Sequence, residues 1–151
     1  MWRELKVPKI CERLIGFSVP RDNEVLVISY EGTHLLRLGP TITVETDEEF
    51  HEYDIYDPDN GFAQYRGREY QIIGLHDGAP LLESPMGERL ILDTTSEKLS
   101  VVRDSTDIYS RRYENFSGAW AAVTFSPDGR YIVLGCPYDF DFVVLVRDDA
   151  V

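Results

Sequence analysis

The sequence predicts a single all-β domain of antiparallel strands. Short apolar runs recur along the chain, and clusters of Pro, Gly, Asp and Asn separate them. The 151 residues suffice for one hydrophobic core, and a composition of 43% hydrophobic and 28% charged residues is that of a globular protein. Nine Tyr and seven Phe favour strands. We therefore treat residues 1–151 as one domain.

The first half of the chain predicts several short strands separated by turns. Glu24-Val-Leu-Val-Ile-Ser-Tyr30 is the clearest of them, because β-branched and apolar residues are continuous there. Glu31-Gly32 predicts a tight turn that returns the chain as a hairpin. Strands are predicted at residues 2–7, 10–17, 24–30, 33–38 and 41–45.

The segment 46–60 differs from its surroundings because seven acidic residues are interleaved with aromatic ones. It is predicted to be an acidic connection that holds at most one helical turn or short strand. After it, strand-like residues return at 62–73 with a turn at 66–68, and residues 88–93 and 98–103 form a hairpin pattern. Residues 104–118 show no clear period and are predicted to form a long loop.

The last thirty residues carry the strongest pattern. Val123 and Phe125 precede Ser126-Pro127-Asp128-Gly129, in which Pro and Gly supply the dihedral angles of a tight turn. Apolar runs follow at 131–134 and 140–146. Alternation along these strands predicts a buried set: Val123, Phe125, Ile132, Leu134, Val143 and Leu145.

The run Phe125-Ser-Pro-Asp-Gly-Arg-Tyr131 resembles the turn that joins the first two strands of a blade in β-propellers of the WD40 and TolB-type families. The resemblance implies antiparallel propeller-like blades, about three per chain. Two features depart from the WD40 pattern: there is no Gly-His opening, and Leu145-Val-Arg-Asp148 stands where a Trp-Asp dipeptide would.

A second copy of this pattern starts at Phe17, 108 positions before Phe125, and half that spacing suggests a degenerate middle copy between Gln71 and Leu82. Three blades leave two faces uncovered, whereas propellers close with about four to eight blades. Three arrangements solve this problem: a homodimeric six-bladed ring, a compact β-sandwich, and an open array with capped ends.

Charge and cysteine content limit the function. The formal net charge of −12 repels a phosphate backbone, so nucleic acid is not an expected partner. No apolar run is long enough to span a bilayer and no signal-peptide core follows Met1, which predicts a cytoplasmic protein without a membrane partner. Two cysteines, Cys11 and Cys136, are expected to be buried and reduced.

Aromatic and acidic residues in the connections are the candidate partner-binding surface, because ligand contacts concentrate in loops and Tyr is enriched at interfaces. They also suit a second interpretation, in which they cover the ends of the sheets. The candidates are Tyr53, Asp54, Tyr56, Asp57, Asp59, Tyr109, Tyr113 and Tyr138.

No catalytic residue, cofactor or metal is predicted. Asp57-Pro-Asp59-Asn60-Gly61 resembles a calcium loop only superficially, since it lacks the EF-hand spacing and the downstream Glu. His34, His51 and His76 share no metal-ligand spacing. We expect a non-catalytic module that binds a basic protein partner, as an immunity or inhibitor protein would. The alternative is a carboxylate-dependent hydrolase such as a glycosidase, with paired acids such as Asp139 and Asp141.

Overall fold

The computed structural model describes residues 2–48, 52–115, 120–137 and 142–148, with the backbone alone at 52 and 53. These residues form antiparallel sheets and one helical turn, which confirms the all-β prediction. No helix among them has the length and apolar character needed to cross a bilayer. The elements are β1 (Trp2–Leu5), β2 (Leu14–Ser18), β3 (Glu24–Ser29), β4 (Gly32–Arg37), β5 (Thr43–Asp47), α1 (Glu52–Ile55), β6 (Tyr56–Asp57), β7 (Phe62–Tyr65), β8 (Arg68–Gly74), β9 (Glu88–Asp93), β10 (Lys98–Arg103), β11 (Thr106–Arg112), β12 (Ala122–Phe125), β13 (Tyr131–Gly135) and β14 (Phe142–Arg147).

The central sheet joins both ends of the described chain. Its strand order is β1-β14-β13-β12, and β1 pairs antiparallel with β14 so that Trp2 lies opposite Arg147. An isolated strand such as β1 needs a sheet to join, because a lone strand cannot satisfy its backbone groups. The residues of β1, whose apolar alternation in the sequence is weak, therefore form an outer strand of the central sheet.

Both faces of the central sheet are buried. All six residues of the predicted buried set lie in one cluster with Trp2, Leu90 and Leu99, which confirms that prediction. The alternate residues, among them Val133 and Val144, pack in a second cluster against β2, β3 and β4. Successive side chains of a strand point to opposite faces, so this sheet is the middle layer of the molecule.

A curled seven-stranded sheet covers one face of the central sheet. Its order is β5-β4-β3-β2-β8-β7-β6. A third cluster, containing Ile15, Leu26 and Ile28 of one arm with Tyr65 and Ile72 of the other, lies inside the curl. The strands β6–β8 therefore fold back and cover the apolar face of β2–β4 that the central sheet leaves open.

The curl depends on a close approach of β2 and β8 at two opposed glycines. Gly16 lies opposite Gly74 in the register. A Cβ on Gly74 would lie 2.7 Å from the carbonyl oxygen of Ile15, and the φ of Gly74 is +143°, a region that other residues rarely adopt. Larger side chains at this junction would separate the two arms.

The three-stranded sheet β9–β11 covers the other face of the central sheet. Residues 81–84 connect the two sheets by backbone hydrogen bonds. Phe125 N donates to Leu81 O at 2.8 Å on one side, and Leu90 N donates to Leu82 O at 2.8 Å on the other. The free edge of β12 and that of β9 are thus both satisfied, as buried backbone groups must be.

The strand β11 corrects a sequence prediction. Residues 104–118 were expected to form a long loop, but residues 106–112 pair with β10 through a hairpin whose turn residues, Asp104 and Ser105, have φ of 52° and 63°. These angles are those of a type I′ turn, which matches the twist of the strands. Exposed Thr106, Asp107 and Ser110 hide the strand pattern in the sequence.

The turn Ser84-Pro85-Met86-Gly87 is similar in geometry to Ser126-Pro127-Asp128-Gly129. The degenerate middle copy between Gln71 and Leu82 stays a prediction. In both turns the glycine N donates to the serine O, at 2.9 Å for Gly129 and 3.2 Å for Gly87, and the glycine φ is 75° and 78°. The two turns touch, since a Cβ on Gly129 would lie 3.2 Å from Pro85 Cδ.

A buried ion pair lies beneath these two turns. Glu88, which is 1% exposed, accepts hydrogen bonds from both terminal nitrogens of Arg147, one of them from Nη1 at 3.1 Å. Arg147 also donates to Gly129 O through Nη2 at 3.1 Å, and its guanidinium stacks on Trp2 at 4.5 Å. Arg103 Nη2 lies 3.3 Å from Glu88 Oε2. The ion pair therefore connects β9, β10, β14, β1 and a turn.

Truncation of Phe125 tests the central layer. Phe125 is fully buried and its ring lies 6.1 Å from that of Trp2. We expect Phe125→Ala to lower the free energy of unfolding by about 3 to 5 kcal/mol, because a large buried cavity forms. Denaturant melts measure this loss. Ile91→Ala, at an exposed position, should change stability far less, and equal losses in the two variants would contradict the assigned register.

Neutralising Glu88 tests the buried ion pair. Burial acts to raise the pKa of Glu88, but hydrogen bonds and charge from Arg147, with Ser84 and Arg103, outweigh it and hold this pKa below 4.5. The stabilisation is therefore present above pH 4.5 and is lost as the pH falls through the lower folded-state value. Glu88→Gln should cost about 3 to 5 kcal/mol at neutral pH, because Arg147 is left buried without its partner.

The pH dependence of the same variant gives a second measurement. In melts from pH 7 to pH 3 the difference between the wild type and Glu88→Gln should narrow as the pH falls below 4.5, since the unfolded carboxylate then binds a proton that the folded wild type binds less readily. A constant difference between the two proteins at every pH would show that the side-chain charge contributes nothing.

Candidate functional site

The residues that the sequence proposed as one binding surface lie in separate parts of the structure where it describes them. Tyr56 and Tyr113 are buried, with 4% and 5% exposure, and pack in two different clusters. Tyr109 is half-buried against the cluster beneath β9–β11, and burial raises the pKa of its hydroxyl. A tyrosine ring is largely apolar, so these rings fill the core and cover the ends of sheets. They do not form an exposed aromatic surface.

The acidic candidates lie in and beside the turn after β6. Asp57 accepts hydrogen bonds from the backbone N of Asp59 at 3.2 Å and of Asn60 at 3.3 Å, and from Asn60 Nδ2 at 2.7 Å. It therefore shapes the turn. Asp54 and Asp59 are exposed. The side chain of Tyr53 and the whole of Tyr138 lie outside the described residues.

No group of three or more His, Cys, Asp or Glu in the described part of the chain could hold a metal ion. In the turn that resembled a calcium loop, the oxygens of Asp57 are engaged by donors of the turn itself. The structure assigns no cation to these residues.

The main concave site is an open cleft of about 780 Å³ at the turn end, which we define as the end of the sheets where residues 20–23, 84–87 and 126–129 lie. Residues of three sheet segments converge there, because β2 and β12 both end, and β8 begins, at this end. The cleft is lined by Val19, Pro20, Arg21, Asp22, Asn23, Glu69, Tyr70, Gln71, Leu81, Ser126, Pro127 and Asp128.

Two hairpin turns give the cleft fixed walls. Asp22 and Asn23 have φ of 51° and 61°, and Arg21 and Glu24 exchange backbone hydrogen bonds of 2.9 Å around them. Across the cleft, Ser126 Oγ donates to Asp128 Oδ1 at 2.7 Å and accepts from Tyr131 N at 3.0 Å. Backbone bonds of this kind hold the two turns in single conformations.

A smaller pocket of about 410 Å³ continues the cleft along β8. Glu69 and Gln71 line both cavities. On its far side the pocket reaches Asp59, Asn60 and His76. Of the sequence-proposed residues that the structure describes, Asp59 lines this groove.

The groove carries more negative than positive charge. Its carboxylates are Asp22, Glu69 and Asp128 in the cleft and Asp59 in the pocket, against the single guanidinium of Arg21. Arg21 Nη1 donates to the backbone O of Glu69 at 2.7 Å, so this cation is bound to the wall. Burial acts to raise the pKa of Asp128, but hydrogen bonds from Ser126 and Arg130 N outweigh it and lower this pKa.

The resolved carboxyl pKa shifts bear on the hydrolase alternative. Glu88, Asp93 and Asp128 have lowered pKa values, the last two mainly through hydrogen bonds within their own turns. A glycosidase needs one carboxylic acid whose pKa is raised so that it can protonate the leaving group. The direction of these three pKa shifts is opposite to the one that role requires, and Asp139 and Asp141 lie outside the described residues.

A buried cluster around His34 is structural. Its Nε2 lies 3.1 Å from Ser29 Oγ and its Nδ1 3.0 Å from Thr46 Oγ1, and burial lowers the pKa of the imidazole. A serine beside a histidine suggests a nucleophile and a base. However, Ser29 is fully buried, and Ser29 Oγ lies 3.0 Å from Gly32 O, so the pair is closed to a substrate.

Sequence reasoning missed the groove because its residues come from distant positions. Asp22 and Asp128 each belong to a turn pattern that the sequence displays, and the repeat expected from the sequence would place the two turns at the same end of neighbouring sheets. Glu69 carries no such signal. No known protein-family pattern, curated protein or solved structure matches this chain.

The reactivity of the two cysteine thiols tests whether they are buried in the hydrophobic core. Cys11 and Cys136 are both free and buried, as the sequence predicted, and burial raises the pKa of Cys11 to about 12. At pH 8 only about one Cys11 in ten thousand would then be a thiolate, the reactive form. We expect a thiol reagent to label both residues only after denaturation. Rapid labelling of the native protein would contradict their placement.

Proposed function

We propose that this protein is a non-catalytic interaction module that binds a protein partner at the turn end. The observation that carries the proposal is the open cleft between the turns at residues 20–23 and 126–129, whose walls are held by backbone hydrogen bonds. Binding loops on a rigid β scaffold lose little conformational entropy on association. A basic partner fits the net charge of −12, and an immunity or inhibitor protein is the biological role that such a module would have.

The resemblance to propeller blades extends this proposal to the architecture. Three segments end in turns at this end of the molecule: β12 before 126–129 and residues 81–84 before 84–87, whose turns are similar, and β2 before the hairpin turn at 19–23. We interpret them as three blades in an open array. β1 completes the blade of β12–β14, and β6–β8 cap the blade of β2–β5. If the three sheets are not related as blades, the same layers form a compact β-sandwich.

We further propose that the exposed face of the β9–β11 sheet supports the expected homodimer. Arg89, Ile91 and Asp93 point to this face from β9, and Ile91 is 42% exposed. Two copies related by a two-fold axis near Ile91 would place Arg89 of each against Asp93 of the other. This contact would also cover the outer face of the β9–β11 sheet and bring the three blades of each copy into one assembly.

The partner-binding proposal is tested by Leu81→Asp. Leu81 lines the cleft and is 37% exposed, so a carboxylate there should abolish docking without disturbing the core. The matched control is Leu75→Asp, because Leu75 is 43% exposed and does not line the cleft. Affinity capture from the source-cell lysate with both variants, followed by mass spectrometry, should identify a protein lost only with Leu81→Asp. Loss of the same protein with both variants would contradict the assignment.

The dimer is tested by sedimentation. Analytical ultracentrifugation at micromolar concentration should give twice the 17.3 kDa chain mass, and Ile91→Asp should shift the protein to the monomer. A wild-type monomer across the whole concentration series would exclude both the two-fold contact and the six-bladed ring, and would leave the compact sandwich or the capped array.

A further inference from the structure

We propose that the groove at the turn end binds an extended, basic segment of the partner in which cationic and apolar residues alternate. The inference rests on the proposed function and specifies the chemistry of the docked segment. It comes from three features of the groove: its continuity, its uncompensated carboxylates and its apolar wall.

The groove is long enough for an extended chain because two cavities share a wall. The cleft of about 780 Å³ and the pocket of about 410 Å³ both contact Glu69 and Gln71. A ligand that enters between the turns at 20–23 and 126–128 can therefore continue along β8 to the turn at 58–61. A compact small ligand would use only one of the two cavities.

Two of the four carboxylates of the groove, Glu69 and Asp59, have no ion-pair partner within the described part of the chain. The acidic residues that form ion pairs there include Glu4, Glu12, Asp22, Glu24, Glu45, Glu88 and Asp148. Glu69, Asp59 and Asp128 take part in none of them. Asp128 is satisfied by Ser126 and Arg130 N, which leaves Glu69 and Asp59, at the middle and the far end of the groove, to receive cations from outside.

The only arginine in the groove does not neutralise these carboxylates. Arg21 donates to the backbone O of Glu69 rather than to its carboxylate. Arg68 reaches Asp22 at 3.5 Å but approaches Glu24 more closely, at 3.1 Å. A guanidinium or ammonium group from a partner would therefore find Glu69 and Asp59 available.

Part of the cleft wall is apolar. Val19, Pro20, Leu81 and Pro127 line it, and of these Val19 and Pro20 are buried whereas Leu81 and Pro127 are exposed. In an extended peptide successive side chains point to opposite sides. Cationic residues at every second position can therefore reach Glu69 and Asp59 while the residues between them contact Leu81 and Pro127.

The experiment uses a short synthetic peptide that alternates Arg with Val and Ala, and a control peptide with Gln in place of Arg. Fluorescence anisotropy measures the binding of each to the full chain. The test variant is Glu69→Gln with Asp59→Asn. The matched control is Asp104→Asn with Asp107→Asn, which removes the same charge at exposed positions of the β10–β11 hairpin.

We expect the Arg peptide to bind and the Gln peptide not to bind. Affinity should fall about tenfold in the groove variant and hardly at all in the hairpin variant, because only the groove carboxylates contact the ligand. It should also weaken with added salt. Equal losses in both variants would mean that the peptide responds only to the net charge, and would overturn the inference, as would no binding of the Arg peptide.

The two proposals fail separately. If the Arg peptide does not bind but a lysate protein is still lost with Leu81→Asp, the module interpretation stands and the basic-segment inference is wrong. If neither the peptide nor a lysate protein depends on the groove, both proposals are wrong.

Discussion

The burial of the central sheet on both faces is the constraint on which the rest of the structure depends. Ile132 and Val133 are neighbours in β13, yet they enter different hydrophobic clusters. Such a sheet cannot exist alone, because each face needs a covering layer. The curled sheet supplies one layer and β9–β11 the other. The strands β6–β8 of the curled sheet then cover the other apolar face of β2–β4. The outermost sheets therefore expose mainly polar residues.

The same layering determines where a binding site can form. Apolar contacts hold the sheets together along their faces, whereas at the turn end the layers are joined by polar groups. Arg147 links Gly129 to Glu88, and Arg68 links Asp22 to Glu24. The turn at 126–129 is therefore fixed to β9, and the turn at 20–23 is fixed to β8, so each wall of the cleft is held by polar contacts. A module that binds by preorganised loops requires this arrangement.

The sequence predicts the buried strands, which contain apolar runs, far better than it predicts the outer strands and the groove. Phe125 and Leu134 stand in continuous apolar runs, so their burial follows from local pattern. β11 lies in an outer layer with exposed Asp107 and Ser110, so its alternation is weak. Glu69 and Asp59 approach the cleft only through the tertiary arrangement, and Tyr56 and Tyr113 entered the core because a ring can be buried as readily as exposed.

The pairing of β1 with β14 has a mechanical consequence. Trp2 and Arg147 lie side by side at the same end of an antiparallel pair, and the hydrogen bonds of such a pair run perpendicular to the strands. A force that draws these two residues apart would load the bonds one after another, from Trp2 towards Leu5. The hydrogen bonds would break one after another at low force, whereas under shear they would all carry the load together. Any tether or transport machinery that pulls on these two residues would first remove β1 and expose the β14 edge.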